Sequence, residues 1–150
     1  MTANPIHPYW QVLGKAMLPE LVVEQGEGSA LAFFSALLAA AKAAHRANDD
    51  AFLLRAYAFA HWGMSQPDRD VWNAAGVGFF QHLFDDMPPD TVAPWIASEA
   101  FSDVVPLLEV QLGAERARKV RKRFEARKVA IESNYPGVIA RAEREMTRAS

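Results

Sequence analysis

Apolar side chains recur along this chain every three or four residues, which is the spacing of helices that bury one face. No stretch between turn signals is rich in β-branched residues in the way a strand would be. The pattern therefore predicts an all-α fold, a single-domain bundle of about six to eight helices. Turn and capping residues place these helices at about residues 9–24 with a break near Pro19, then 30–46, 50–64, 67–85, two within 89–111, 114–133 and 138–147.

The second and third predicted helices are joined by a very short link, "NDD", at residues 48–50. So short a link predicts an antiparallel helical hairpin, with Ser29 and Asp49 capping its two helices. The third helix carries apolar side chains on two faces, which predicts a central position in the bundle. One face holds Leu53, Tyr57, Ala60, His61 and Met64, and the other holds Phe52, Phe59 and Trp62.

Composition limits the classes of protein to consider. A chain of 150 residues is enough for one domain, and the lack of cysteine excludes disulfides, thiolate nucleophiles and cysteine-bound metals. A reducing cytoplasm is the location we expect. The N-terminal stretch has no basic region followed by an apolar run, so no signal peptide is predicted. The most apolar segment, residues 30–44, is shorter than the ~20 residues of a membrane-spanning helix.

The strongest functional signal is the distribution of charge. Residues 1–113 contain 5 Lys/Arg and 13 Asp/Glu, a net charge of −8, whereas residues 114–150 contain 11 and 5, a net charge of +6. The sequence therefore predicts an acidic helical core, 1–113, and basic C-terminal helices, 114–150, that pack on the same domain. The first of these basic helices is long, with a narrow apolar stripe formed by Ala117, Val120, Phe124 and Ile131.

Three interpretations of this basic helix remain open. It can dock on its own acidic body, where each exposed ion pair is worth only ~0–1 kcal/mol. It can contact a partner protein or a second copy of the chain through the same stripe. It can also bind nucleic acid, although a sequence pI of about 6.1 and a lack of aromatic residues besides Phe124 disfavour this. The candidate partner-binding residues are Arg116, Lys119, Arg121, Lys122, Arg123 and Phe124.

No membrane partner is predicted, because so narrow an apolar stripe would bury little surface in lipid. The function favoured by the sequence is protein–protein contact or self-association, with nucleic-acid binding as the alternative.

Residues 59–86 concentrate aromatic and histidine side chains, and a second alternative is an enzyme or ligand binder with a pocket there. Buried polar groups need partners, so Tyr57, His61 and Asn73 are expected to form a polar network between the third and fourth helices. Arg55 is expected to stack on Phe59 and Trp62. The candidate network or pocket comprises Arg55, Tyr57, His61, Asn73 and His82. No catalytic residue or cofactor is predicted, because no nucleophile elbow or other catalytic motif is present.

His45 and His82 each precede an aspartate by four residues, but no third ligand is evident, so no metal site is predicted. Both lie in the last turn of their predicted helices, where the helix dipole favours a partly protonated imidazole. Gly76 and Gly78 lie inside the fourth predicted helix, which indicates a close approach to a neighbouring helix rather than a phosphate-binding loop.

Two segments, "YAFAHW" and "WNAAGVGFFQHLFDD", carry a family resemblance. They resemble a group of small bacterial helical proteins with a Tyr-x-x-x-x-Trp segment followed by an Asn-Ala-Ala-x-x-x-Phe-[Phe/Tyr]-x-His-Leu core. The resemblance implies a helical domain of unknown function and carries no activity. The matching residues are Tyr57, Trp62, Asn73, Ala74, Ala75, Phe79, Phe80, His82 and Leu83.

Overall fold

The predicted all-α class is confirmed by the computed structural model, in which each regular element that can be described is helical. The structure describes residues 9–21, 29–83, 85, 87–96, 109–110, 113–116, 118–119, 131 and 133–149. Six α-helices have both ends within these ranges: α1 (Tyr9–Met17), α2 (Ala30–Ala47), α3 (Asp50–Met64), α4 (Arg69–Gly78), α5 (Pro89–Val92) and α6 (Tyr135–Ala149). Short 3₁₀ turns follow α4 at Phe80–His82 and follow α5 at Ala93–Trp95.

The predicted caps of α2 and α3 are both formed. The Ser29 hydroxyl accepts a hydrogen bond from the backbone N–H of Ala32 at 3.1 Å. The Asp49 carboxylate accepts one from the backbone N–H of Phe52 at 3.2 Å. Each cap satisfies a backbone donor that has no partner inside its helix, so the two helices begin where the sequence places them.

The predicted antiparallel hairpin is present between α2 and α3. Asn48 closes the link in the left-handed conformation, with φ of 57°. Phe34, near the start of α2, lies against Gly63, near the end of α3. The end of α2 meets the middle of α3 through a contact between His45 and Tyr57. Contacts in this order require the two helices to run in opposite directions.

α3 lies at the centre of the bundle, as predicted, and packs against α1, α2, α4 and α6. It approaches its neighbours closely at Gly63. A Cβ atom added there would lie 2.8 Å from Cζ of Phe34 and 3.1 Å from Cβ of Ala75. Helices α2, α3 and α4 therefore meet at a point where only a glycine fits without movement of a neighbour.

α4 differs from its prediction, because it ends at Gly78 instead of residue 85. Its N-cap is Asp68, which accepts a hydrogen bond from the backbone N–H of Asp70 at 2.9 Å, so Pro67 precedes the helix. A continued helix would carry Phe80 onto the same exposed side as Val77. The change to a 3₁₀ turn instead leaves Phe80 only 1% exposed, so core burial ends the helix early.

The first predicted helix is broken near Pro19, as the sequence indicates. α1 ends at Met17, residues 19–21 are helical again, and residues 22–24 lie outside the described residues. α6 begins at Tyr135, three residues earlier than predicted, with Pro136 in its first turn where a missing N–H is tolerated.

Pro94 lies in the 3₁₀ turn that follows α5, which agrees with the predicted break. The predicted break at Pro106 lies outside the described residues. So does most of the predicted long basic helix at 114–133, where residues 114–116, 118–119 and 131 are described and helical.

Candidate functional site

The centre of the candidate site is a hydrogen bond between the side chains of Tyr57 and His45. The Tyr57 hydroxyl and His45 Nε2 are 2.8 Å apart. Tyr57 is 0% exposed and His45 is 7% exposed, so the bond lies in the hydrophobic core. α3 supplies the tyrosine and the last turn of α2 supplies the histidine, which makes this bond a link between the two arms of the hairpin.

Burial keeps both groups of this pair neutral. It raises the pKa of Tyr57 well above its ordinary value, and the nearby Tyr135 adds to the rise. It lowers the pKa of His45, and the charge of Asp50 opposes that change only in part. The partly protonated imidazole expected for His45 from the helix dipole is therefore not favoured, because desolvation in the core is the larger effect.

Aromatic rings enclose this pair. The Trp95 ring stacks on the Tyr57 ring with their centroids 5.6 Å apart and an angle of 20° between planes. Phe79 meets the Tyr57 ring edge-on at 5.5 Å. The Trp95 ring also lies edge-on to His45 at 6.2 Å. Such offset and edge-on contacts are the favoured geometries of buried aromatic side chains.

His61 extends the cluster towards α6. Its Nδ1–H donates to the carbonyl oxygen of Tyr57 at 2.6 Å. Its ring stacks on that of Tyr135 at 5.0 Å and 20°, and it lies 5.1 Å from the Phe80 ring. The Tyr135 hydroxyl in turn donates to the carbonyl oxygen of Trp95 at 2.5 Å. His61 therefore connects α3 to the first residue of α6.

The cluster satisfies its own polar atoms. Within the part of the chain that the structure describes, no buried side-chain nitrogen or oxygen lacks a hydrogen-bond partner. A general base needs a pKa matched to its task and access to a substrate proton, and a buried neutral histidine bonded to a buried tyrosine provides neither. The geometry of His45, Tyr57 and His61 is that of a set of links between helices.

Arg55 lies outside this cluster and makes an ion pair with Glu20. Its guanidinium donates two hydrogen bonds to the two carboxylate oxygens, at 2.9 and 2.8 Å. It donates a third to the carbonyl oxygen of Met17, the last residue of α1, at 2.9 Å. The hydrogen bond from Arg55 lowers the pKa of Glu20, and the same bond raises the pKa of Arg55. Arg55 therefore fastens the end of α1 to α3.

The stacking expected of Arg55 differs from that observed. Its guanidinium carbon lies 5.3 Å from the centroid of the Phe52 ring, one turn towards the start of α3. Phe59 and Trp62 instead stack on each other at 5.6 Å and 22°. The Arg55 guanidinium is directed towards Glu20, and in that direction it lies over the ring of Phe52, three residues earlier on α3.

Asn73 and His82 also lie apart from the polar cluster. Asn73 is exposed on the outer face of α4. His82 is exposed, and its Nδ1–H donates to the carboxylate of Asp85 at 2.8 Å. The sequence paired His82 with Asp86, which lies outside the described residues. In the described ranges, no three side chains of His, Asp or Glu converge as a metal site would require.

The basic C-terminal region is described only in part. Arg116, Arg118 and Lys119 are exposed, and Lys119 lies 3.5 Å from Glu115 in a pair whose members are each about three-quarters exposed. Arg121, Lys122, Arg123 and Phe124 lie outside the described residues, and their predicted role in partner binding stays a prediction.

A groove of about 410 Å³ lies where α6 crosses α1 and α3. Its lining is mainly apolar, with charged side chains at the rim. Arg141 and Glu145 on that rim are 3.5 Å apart and well exposed. The lining residues are Ala16, Met17, Ala51, Leu54, Arg55, Val138, Arg141, Ala142 and Glu145.

Two members of the cluster were not proposed from the sequence. Neither Tyr135 nor Trp95 is among the residues that the sequence predicted for this cluster. The available signal for Tyr135 was a large aromatic residue directly before a Pro-Gly pair, at the start of an amphipathic segment.

Across the part of the chain that can be described, no helix combines the length and the apolar character needed to cross a bilayer.

Comparison with known protein families gives one match. The model of a family described as a domain of unknown function, DUF7674, matches residues 11–103, which is more than half of the chain. This range includes α1 from its third residue, α2 to α5, and the Tyr57, His61 and Trp95 parts of the cluster, and leaves α6 outside. Comparisons with curated proteins and with solved structures give no match.

Proposed function

We propose that this protein, which belongs to the family of the domain of unknown function DUF7674, works by associating with other copies of itself. In this proposal the basic region, residues 114–150, contacts the acidic region, residues 1–113, of a neighbouring copy. The observation that carries the proposal is the separation of charge, −8 in the first region (5 Lys/Arg, 13 Asp/Glu) and +6 in the second (11 and 5). Regions of opposite charge attract one another over distances of about 8–10 Å at moderate salt.

The described parts of both regions support such a contact. Arg116, Arg118 and Lys119 are exposed, as are the acidic side chains of Asp68 and Asp70 at the start of α4. The ion pair of Lys119 with Glu115 is too exposed to neutralise the region, because pairs of this kind contribute little. Opposite charges therefore face solvent on separate parts of the chain.

The polar cluster offers less support for catalysis. His45, Tyr57 and His61 bond to one another or to backbone, and burial favours the neutral form of His45. An enzyme that used this cluster would have to break hydrogen bonds in its own core before it could bind a substrate. Association through charged surfaces requires no such change.

The test is light scattering of the full chain over a range of protein concentration, at low and at high salt. We expect the mean mass to rise with concentration at low salt and to fall towards that of a monomer at high salt. In the variant Arg121→Glu/Lys122→Glu we expect a monomer under both conditions. The matched control is Lys15→Glu/Arg69→Glu, which changes the net charge by the same amount at exposed positions of the body and should still associate.

Two results would overturn the proposal. One is a monomeric wild type at every concentration, and the other is equal association of the wild type and the Arg121→Glu/Lys122→Glu variant. A short labelled DNA duplex added to the same samples distinguishes the alternative function. Salt-sensitive binding to that duplex by a chain that stays monomeric would replace self-association with nucleic-acid binding.

A further inference from the structure

α6 lies outside the matched family range, yet it covers a face of that domain formed by α1 and α3. Two side-chain contacts anchor it, one at its first residue and one near its middle. Tyr135, at its first residue, stacks on His61. Glu143, two turns later, accepts a hydrogen bond from the hydroxyl of Tyr9 on α1. The α1–α3 face is therefore a surface that receives an amphipathic helix.

The contact of α6 with this face is incomplete. Among the α6 side chains that the structure describes, Tyr135 and Ala142 are buried, while Val138, Ile139 and Met146 are partly buried. The open groove of about 410 Å³ along α6 has room for on the order of ten water molecules. In α3, a helix of the same length, eight residues are buried. Less apolar surface holds α6 in place. The free-energy cost of detaching α6 should therefore be lower than the cost of unfolding the core helices.

We propose that α6 of one copy binds the α1–α3 face of a second copy, so that the two chains exchange their C-terminal helices. The proposal rests on the self-association proposed above and names the contact that joins the copies. A face that binds α6 within one chain presents the same atoms to α6 of another chain, so every observed contact can be re-formed. The occupant is thus α6, a helix that the structure shows packed on this face.

The connection to α6 allows the exchange. It comprises residues 97–134, between Ile96 and the first residue of α6, a stretch of 38 residues. A chain can span up to ~3.3 Å per residue, whereas a small domain is only about 30 Å across. The length of the connection is therefore sufficient for α6 to reach a second copy.

Charge favours the exchanged arrangement. The connection to α6 and α6 itself include the basic region, residues 114–150, with 11 Lys/Arg against 5 Asp/Glu. Exchange carries this region of each chain to the acidic region of the other. The contact is the same in both directions, so it closes as a dimer with two-fold symmetry.

The test uses single-cysteine variants, because the natural chain has no cysteine. Ala51 on α3 and Glu145 on α6 line the same groove, and both are exposed. Full-length chains carrying Ala51→Cys and Glu145→Cys, one of them labelled with ¹⁵N, are mixed at low salt and treated with a short bismaleimide. Mass spectrometry then counts cross-linked dimers that contain one chain of each kind.

We expect mixed dimers several times more often than the statistical share that random collision would give. The matched control replaces Ala51→Cys with Ser65→Cys, an exposed position at the opposite end of α3. The distance between residues 51 and 65 along a helix is about 21 Å, beyond the reach of a short cross-linker. The control pair should therefore give no such excess.

A chain with both Ala51→Cys and Glu145→Cys shows whether the two positions meet at all. If this double variant cross-links within one chain and the mixed pair gives no excess over the control, helix exchange is overturned. Light scattering separates this from failure of the self-association proposal. Salt-sensitive association without mixed cross-links would refute exchange alone, whereas a monomer at all concentrations would refute both.

Discussion

The Tyr57 hydroxyl and the Nε2 atom of His45 lie 2.8 Å apart in the core, where each is the hydrogen-bond partner of the other. The two residues belong to different helices of the α2–α3 hairpin. Their bond is buried and neutral, so its loss leaves a polar atom without water to replace the missing partner. This relationship determines the first two predictions.

Tyr57→Phe should destabilise the protein by about 1–3 kcal/mol, because it leaves His45 Nε2 buried and unpaired. The ring remains, so stacking on Trp95 should persist. The free energy of unfolding is measured by urea denaturation. Tyr135→Phe is the control for loss of a tyrosine hydroxyl that bonds to a backbone carbonyl. A change in stability below the error of the measurement for Tyr57→Phe would show that the bond to His45 contributes nothing.

Stability should decline as the pH falls below about 6.5, the ordinary pKa of histidine. Burial lowers the pKa of His45 in the folded protein, so the unfolded chain takes up a proton first. The contribution of His45 is therefore fully present above the unfolded pKa and is lost as the pH falls towards the folded pKa. One such group gives a slope of up to about 1.4 kcal/mol per pH unit.

Urea denaturation between about pH 5 and 7.5 measures this slope, and His45→Gln should reduce it because an amide does not titrate. The matched control is His82→Gln, since His82 is half exposed and bonds to Asp85 at the surface. Equal slopes for His45→Gln and the wild type would contradict the assignment of the pH dependence to His45.

Gly63→Ala should destabilise the protein by about 1–3 kcal/mol, since the new methyl group would lie 2.8 Å from Phe34 and 3.1 Å from Ala75. Gly76→Ala is the matched control in the neighbouring helix. Its Cβ would meet only Sδ of Met64, at 3.7 Å, an ordinary contact. We expect this control to be neutral or to stabilise by about 0.5–1 kcal/mol through helix propensity. Urea denaturation measures both changes. A lower denaturation midpoint for Gly76→Ala than for Gly63→Ala would refute the observed packing of α2, α3 and α4.

Arg55→Lys should destabilise the protein by up to about 1 kcal/mol, because a lysine cannot donate in parallel to both Glu20 oxygens and still reach the Met17 carbonyl. The effect is small because both members of the pair are partly exposed. The measurement is thermal unfolding at pH 7. The same substitution at the exposed Arg69 serves as the control and should leave the melting temperature unchanged. Indistinguishable melting temperatures for the two variants would show that the bidentate geometry has no energetic effect.

Tyr9 offers a complementary measurement of the contact between α1 and α6. Burial, with a further contribution from the hydrogen bond to Glu143, raises the pKa of Tyr9 to about 12. Detachment of α6 would return this pKa towards 10.0. Titration of the tyrosine absorbance should therefore show Tyr9 ionising at lower pH in Glu143→Gln, with Glu145→Gln as a neighbouring control.

The structure brings together some of the residues predicted for the candidate site and separates others, for a physical reason. Tyr57 and His61 share one face of α3, so sequence spacing was sufficient to group them. Arg55 was grouped with them from its spacing to Phe59 and Trp62, and Asn73 from its place on the next helix, but they point towards Glu20 and towards solvent. Spacing along one helix fixes which residues share a face, and the partner of each residue depends on what the fold packs against that face.

The sequence by itself determined the all-helical class, the caps at Ser29 and Asp49 and the hairpin between α2 and α3. These features depend on hydrogen bonds and spacings within a few residues, so local sequence contains the information. Only the tertiary structure decided that α4 ends at Gly78 and that His45 bonds to Tyr57. Both depend on packing between helices: burial of Phe80 in the core outweighs continuation of α4, and desolvation of His45 outweighs the helix dipole that would favour its charged form.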